Sequence, residues 1–153
     1  MAKNSAQGLI DTLEELFSKA PALPKNAKDF IVGITPWVAL VFGVLGVLIG
    51  LSGLGFMTAL APFASMGWGT AYGSGVGLYG LGMVSSVLFL GSSALMVAAY
   101  PGTKSRMMAG WTFLFWSQLL SVVSSLITMN LVNGLLSAVI GFYLLFQIKS
   151  YYK

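Results

Sequence analysis

The sequence predicts an all-α integral membrane protein. The fold class is a four-transmembrane-helix bundle with both chain ends cytoplasmic (N-in, C-in) and an N-terminal amphipathic cytoplasmic helix in front of it. Three observations carry this expectation. Only 8% of the 153 residues are charged and the mean hydropathy is +0.87, whereas roughly a quarter of an ordinary soluble domain is charged. The charges are also segregated. Lys3, Asp11, Glu14, Glu15, Lys19, Lys25, Lys28 and Asp29 crowd the start of the chain, while Phe30 to Thr103 and Met107 to Ile148 carry no charge. A helix needs about 20 apolar residues to cross a hydrocarbon core of roughly 30 Å, so each run holds at least two crossings. Finally, Lys25 and Lys28 precede the first run, Lys104 and Arg106 divide the two, and Lys149 follows the second. Four crossings put these five topology anchors on one side, as the positive-inside rule requires.

Residues 1–29 form the amphipathic arm and residues 30–153 the transmembrane bundle. In the arm, Leu9, Ile10, Leu13, Leu16, Phe17 and Ala20 recur at helical spacing, with Asp11, Glu14, Glu15 and Ser18 off that stripe. Such a pattern marks an amphipathic helix, here ended by Pro21 and Pro24. Its acidic polar face suits anionic lipid poorly, since helices lying on membranes usually present lysine and arginine. Docking on the protein's own cytoplasmic face or on a partner fits the pattern at least as well as lying among the headgroups.

The first span is expected at about residues 35–52, with Thr35 as N-cap and Pro36 at the first helical position, where its missing donor costs nothing. An earlier start near Asn26 or Asp29, kinked at Pro36, is the alternative. The second span covers about 75–100 and stops at Pro101-Gly102. The third, about 107–128, follows the "TKSR" turn, and the fourth, about 131–148, follows a short turn around Asn130 to Asn133. Residues 53–72 are apolar enough for a fifth crossing, but that would split the basic anchors between two sides. They read instead as an interfacial or re-entrant segment, with Trp68 and Tyr72 at headgroup level.

Glycines punctuate these spans. Gly75, Gly77 and Gly80 match G-x-G-x-x-G, yet a dinucleotide site needs a strand before them and an acidic residue about 20 positions on. Here the glycines run into an uncharged span, so no nucleotide is expected. The stretch "GVGLYG" differs in spacing from a potassium filter and lacks its threonine. Packing explains the glycines better, because small residues let helices approach closely where lipid leaves little hydrophobic gain from joining them. The expected packing surfaces are Gly43, Gly46 and Gly50 in span one, Gly73, Gly77 and Gly80 in span two, and Gly134, Ala138 and Gly141 in span four.

Span three carries a polar stripe: Ser117, Ser121, Ser124, Ser125 and Thr128 share one helical face, with Gln118 beside it. Small hydroxyl side chains suit helix contacts, worth roughly 0.6 kcal/mol each between membrane helices. The alternative is a narrow polar path for a small neutral solute in an oligomer, with Gln118 as its strongest hydrogen-bonding group.

The composition also argues against several chemistries. The chain has no cysteine and no histidine, and its four acidic residues lie in the arm. Proton-coupled transport normally needs an ionisable group inside the membrane, and intramembrane hydrolysis needs a base beside its nucleophile. No enzymatic activity, catalytic residue, metal site or cofactor is therefore expected. A pI near 9.5 reflects topology anchors rather than nucleic-acid binding. The expected role is a non-catalytic structural, accessory or interaction component of a membrane assembly. Its partners would be the lipid bilayer and either a homo-oligomer or another membrane protein, in the inner (cytoplasmic) membrane of the cell.

Overall fold

Two prolines lie inside the longest helix of this chain, and neither ends it. The computed structural model describes residues 2–65 and 75–153. These form α1 (Ala2–Ser18), α2 (Lys25–Ser65), α3 (Gly75–Lys104), α4 (Met108–Ile127) and α5 (Leu131–Ile148), closed by a 3-10 turn at Lys149–Tyr151. There is no strand among the described residues. Four stretches are long and apolar enough to cross a membrane: Lys25–Pro62, Gly80–Lys104, Met108–Ile127 and Leu131–Tyr151.

Helices α4 and α5 lie within a residue of the bounds expected for the third and fourth spans, but the first two differ. Thr35 is not an N-cap. The helix starts ten residues earlier, at Lys25, and the Thr35 hydroxyl donates to the Ile31 carbonyl at 2.6 Å inside it. Pro36, one residue on, has no hydrogen to give and leaves the Val32 carbonyl without its helical donor, a loss the helix absorbs without ending. Residues 53–65 are not a separate interfacial segment either, since they continue α2. At 1.5 Å per residue, this helix of 41 residues is about 60 Å long. Its upper part stays paired with α3, where a Cβ on Gly82 would meet the Met57 sulfur at 3.5 Å. Residues 66–74, including Trp68, Tyr72 and Gly73, lie outside the described residues. Pro101 does not stop α3, which continues to Lys104. In the final helical turn a proline removes only one bond, and backbone geometry beyond it sets the end.

Both short turns close in the same way. After α3, Arg106 adopts φ 54°, its amide reaches the Thr103 carbonyl at 3.2 Å, and the Met107 amide reaches Gly102 at 2.8 Å. After α4, Met129 adopts φ 55°, with amide bonds from Met129 to Leu126 at 3.1 Å and from Asn130 to Ser125 at 2.9 Å. These are Schellman closures, which satisfy the last carbonyls of a helix and usually use glycine in the left-handed position.

The helices pack in chain order, α2 on α3, α3 on α4 and α4 on α5, while α2 and α5 make only slight contact. Lys25, Lys28, Lys104, Arg106 and Lys149 therefore all sit at one end of the antiparallel bundle, the charged end. The core is densest just above it, around Trp111, Phe115, Phe142, Leu145 and Ile148. Trp111 stacks on Phe115 with ring centres 5.6 Å apart, and Phe115 meets Phe142 at 5.5 Å. The Trp111 indole also donates to the Leu145 carbonyl at 2.8 Å. That acceptor is available because α5 tightens there, the Lys149 amide bonding Phe146 instead.

The arm docks on α5. Ile10, Leu13 and Phe17 face the core cluster, and Phe17 stacks on Phe146 at 5.8 Å. Glu14 forms an ion pair with Lys149. The Tyr143 hydroxyl donates to the Pro21 carbonyl at 2.7 Å, and the Leu23 amide donates to Gln147 Oε1 at 3.2 Å, which ties the linker to the same helix. Leu9 and Leu16 remain exposed, so the apolar stripe is wider than the contact that covers it.

Candidate functional site

The helix surfaces decide what this bundle can bind. On α2, Gly43, Gly46 and Gly50 face α3: an added Cβ would meet Val97 at 2.8 Å, Ser93 Cβ at 2.9 Å and Leu90 at 3.1 Å respectively. On α5, a Cβ on Gly134 would meet Ser125 Cβ at 2.9 Å, and Ala138 packs on the core. Gly80 differs, because an added Cβ there meets nothing within 4 Å. Gly77 lies in the first turn of α3. A closer backbone-to-backbone approach than in any of the expected rows was missed by the sequence reading. Gly102 and Gly110 bring the backbones of α3 and α4 together beside their turn, and a Cβ on Gly102 would lie 2.7 Å from Gly110 Cα.

The polar stripe of α4 is turned largely towards α3, whose own serines were also missed. Ser92 sits between Ser121 at 2.7 Å and Ser117 at 3.3 Å, and the Ser117 hydroxyl donates to the Ser92 carbonyl at 2.8 Å. One heptad away along α3, Ser85 meets Ser124 at 2.9 Å. Ser125 and Thr128 bond back into their own helix, to Ser121 at 3.0 Å and Ser124 at 3.0 Å. The seven-residue step from Ser85 to Ser92 was the available signal, matching Ser117 to Ser124 on the facing helix.

Gln118 points elsewhere. Its Nε2 donates to the Ser137 carbonyl at 2.8 Å and to the Ser137 hydroxyl at 3.0 Å. The carboxamide lies flat over Gly141, where a Cβ would come within 2.8 Å of Oε1. That oxygen accepts no bond among the described residues.

Gln118 forms part of the floor between α2 and α5. Where these two helices stand apart lies a cleft of about 280 Å³ lined by Ile31, Val38, Met96, Gln118, Gly141 and Leu144 among others. A wider opening of about 600 Å³ shares Val38, Gln118 and Gly141 with it and is bordered by Phe42, Leu136 and Ile140. The walls are apolar, and Ser117 and Ser121 reach the inner edge. An apolar ligand or a second helix fits this groove. A hydrated ion finds few polar groups in it.

At the foot of the bundle, Tyr152 is 3% exposed and its hydroxyl has no hydrogen-bond partner among the described residues. Burial pushes its phenol above the ordinary value, since a phenolate would lose its hydration there, and the nearby Thr35 hydroxyl, outside hydrogen-bond geometry, offsets this only in part. Among the described residues, no group of acidic or other ligating side chains could hold a metal ion. No family model, curated protein or solved structure matches this chain.

Proposed function

We propose that this chain is a non-catalytic component of a membrane assembly, anchored by four spans with both ends cytoplasmic in the inner membrane. Its α2–α5 groove receives a transmembrane helix of another protein. The five basic anchors at one end of the bundle support that orientation.

One observation carries the choice of occupant. Gln118 lies about halfway along α4 (Met108–Ile127), about 15 Å from either end at 1.5 Å per residue. Gln118 lines the groove, and its Oε1 accepts no bond among the described residues. An acyl chain has no donor at that depth, whereas a polar side chain on a packed helix supplies one. Against passage of a solute along α4 stands the pairing of Ser117, Ser121 and Ser124 with α3.

The test uses the absence of native cysteine. Val38→Cys in the groove and Val87→Cys on an outer face of α3 carry a cross-linker in native membranes. One foreign protein captured at Val38 but not at Val87, and lost on adding Gln118→Leu, supports the proposal. Capture of a second copy alone would replace it with a homo-oligomer, and capture of lipid alone would refute it.

A further inference from the structure

On the other side of α2, away from the groove, a crevice of about 210 Å³ opens between α2 and α3 at the charged end. Gly33, Pro36 and Trp37 form one wall, and Tyr100, Lys104 and Arg106 the other. The Trp37 and Tyr100 rings meet edge-on at 6.2 Å, and Lys104 Nζ stands 5.7 Å from the Tyr100 ring centre. Neither Lys104 nor Arg106 forms an ion pair among the described residues. A Cβ added to Gly33 would meet nothing within 4 Å, so a side chain there has room to project into the crevice.

A second feature lies on the same seam. Higher up, an apolar groove of about 320 Å³ is lined by Val44, Val47, Leu48, Ala94 and Val97. Val44 follows Gly33 by eleven positions, as do Val47 after Pro36 and Leu48 after Trp37. Eleven residues are three helical turns, so both openings lie on one face of α2, about 16 Å apart. Two free cations with amphipathic rings therefore stand at headgroup depth, below a trough at acyl-chain depth.

We infer that this seam is a binding site for one anionic phospholipid, its phosphate held by Lys104 and Arg106 and a chain laid along Val44, Leu48 and Ala94. The inference goes beyond the proposed partner helix, which occupies the opposite side of α2. A diffuse basic surface would attract such lipids without a seat. The crevice and trough together define one.

The test is native mass spectrometry of the full chain in mild detergent, titrated with phosphatidylglycerol and with phosphatidylcholine of the same chains. One phosphatidylglycerol is expected to bind with roughly tenfold or greater preference over phosphatidylcholine. Lys104→Gln with Arg106→Asn, which tolerates the left-handed backbone, should abolish the preference. Gly33→Leu, which fills the crevice at unchanged charge, should weaken binding, as should Ala94→Leu in the trough. A folded Lys104→Gln/Arg106→Asn variant that keeps the preference would overturn the site. So would an equal loss in Lys25→Gln, no effect of Gly33→Leu, or equally tight binding of glycerol phosphate.

Discussion

Gly102 and Gly110 cross backbone to backbone: the amide nitrogen of Gly110 lies 2.6 Å from where a Cβ on Gly102 would stand. No side chain can move aside there, because the atoms met are main chain. Gly110→Ala is therefore expected to destabilise the bundle by about 2–3 kcal/mol or more, the range of overpacking, as a lower unfolding temperature in detergent. Gly80→Ala provides the contrast. With nothing within 4 Å of the added carbon, it should gain up to about 1 kcal/mol from helix propensity.

Trp111 and Tyr152 make opposite predictions although both are buried. The indole of Trp111 satisfies the Leu145 carbonyl, so Trp111→Phe leaves that acceptor bare and should cost about 1–3 kcal/mol. The Tyr152 hydroxyl has no partner among the described residues. Tyr152→Phe removes an unmet polar atom and is expected to be neutral or stabilising. Equilibrium unfolding of both variants in one detergent checks the pair, and an equal loss in both would contradict the argument.

How much of this was readable in the sequence depends on which force sets each feature. The spans around α4 and α5 were legible because charges and asparagine mark their ends, and water enforces that marking. Gly43, Gly46 and Gly50 were legible because their spacing alone creates a smooth helix face. The start of α2 at Lys25 matches the alternative start near Asn26, but its upper extent was not legible, since Pro62 and the glycines read as breaks, whereas in lipid the backbone stays helical. The destination of the serines was hidden as well. Spacing puts Ser117, Ser121 and Ser124 on one face, but only three-dimensional contact shows that Ser85 and Ser92 meet them. Likewise, nothing in the local pattern of "PGTKSRMMAG" announces that Gly102 and Gly110 touch.

The serine seam should contribute modestly and locally. Ser92 joins two serines of α4, so Ser92→Ala is expected to cost about 1 kcal/mol, at the upper part of the range for polar contacts between membrane helices. Ser125 bonds its own helix, and Ser125→Ala should cost only a few tenths of that. Paired variants Ser92→Ala and Ser121→Ala, compared by double-mutant cycle, should reveal a coupling that Ser92→Ala and Ser125→Ala lack.

Docking of α1 is expected to depend on Phe17 and little on charge. The Glu14–Lys149 pair is partly exposed, with side chains 22% and 47% accessible on Lys149 and Glu14, and exposed ion pairs contribute roughly 0–1 kcal/mol. Phe17 instead stacks on Phe146 and abuts Phe142, contacts worth about 0.5–1.5 kcal/mol each beyond the area they bury. Hydrogen exchange across residues 7–18 should thus quicken strongly in Phe17→Ala and barely in Glu14→Gln. Raising the salt concentration should have the same small effect as Glu14→Gln, since it screens the ion pair and leaves the ring contacts in place. If Glu14→Gln or salt frees the arm as fully as Phe17→Ala does, then charge rather than aromatic packing holds α1 against α5.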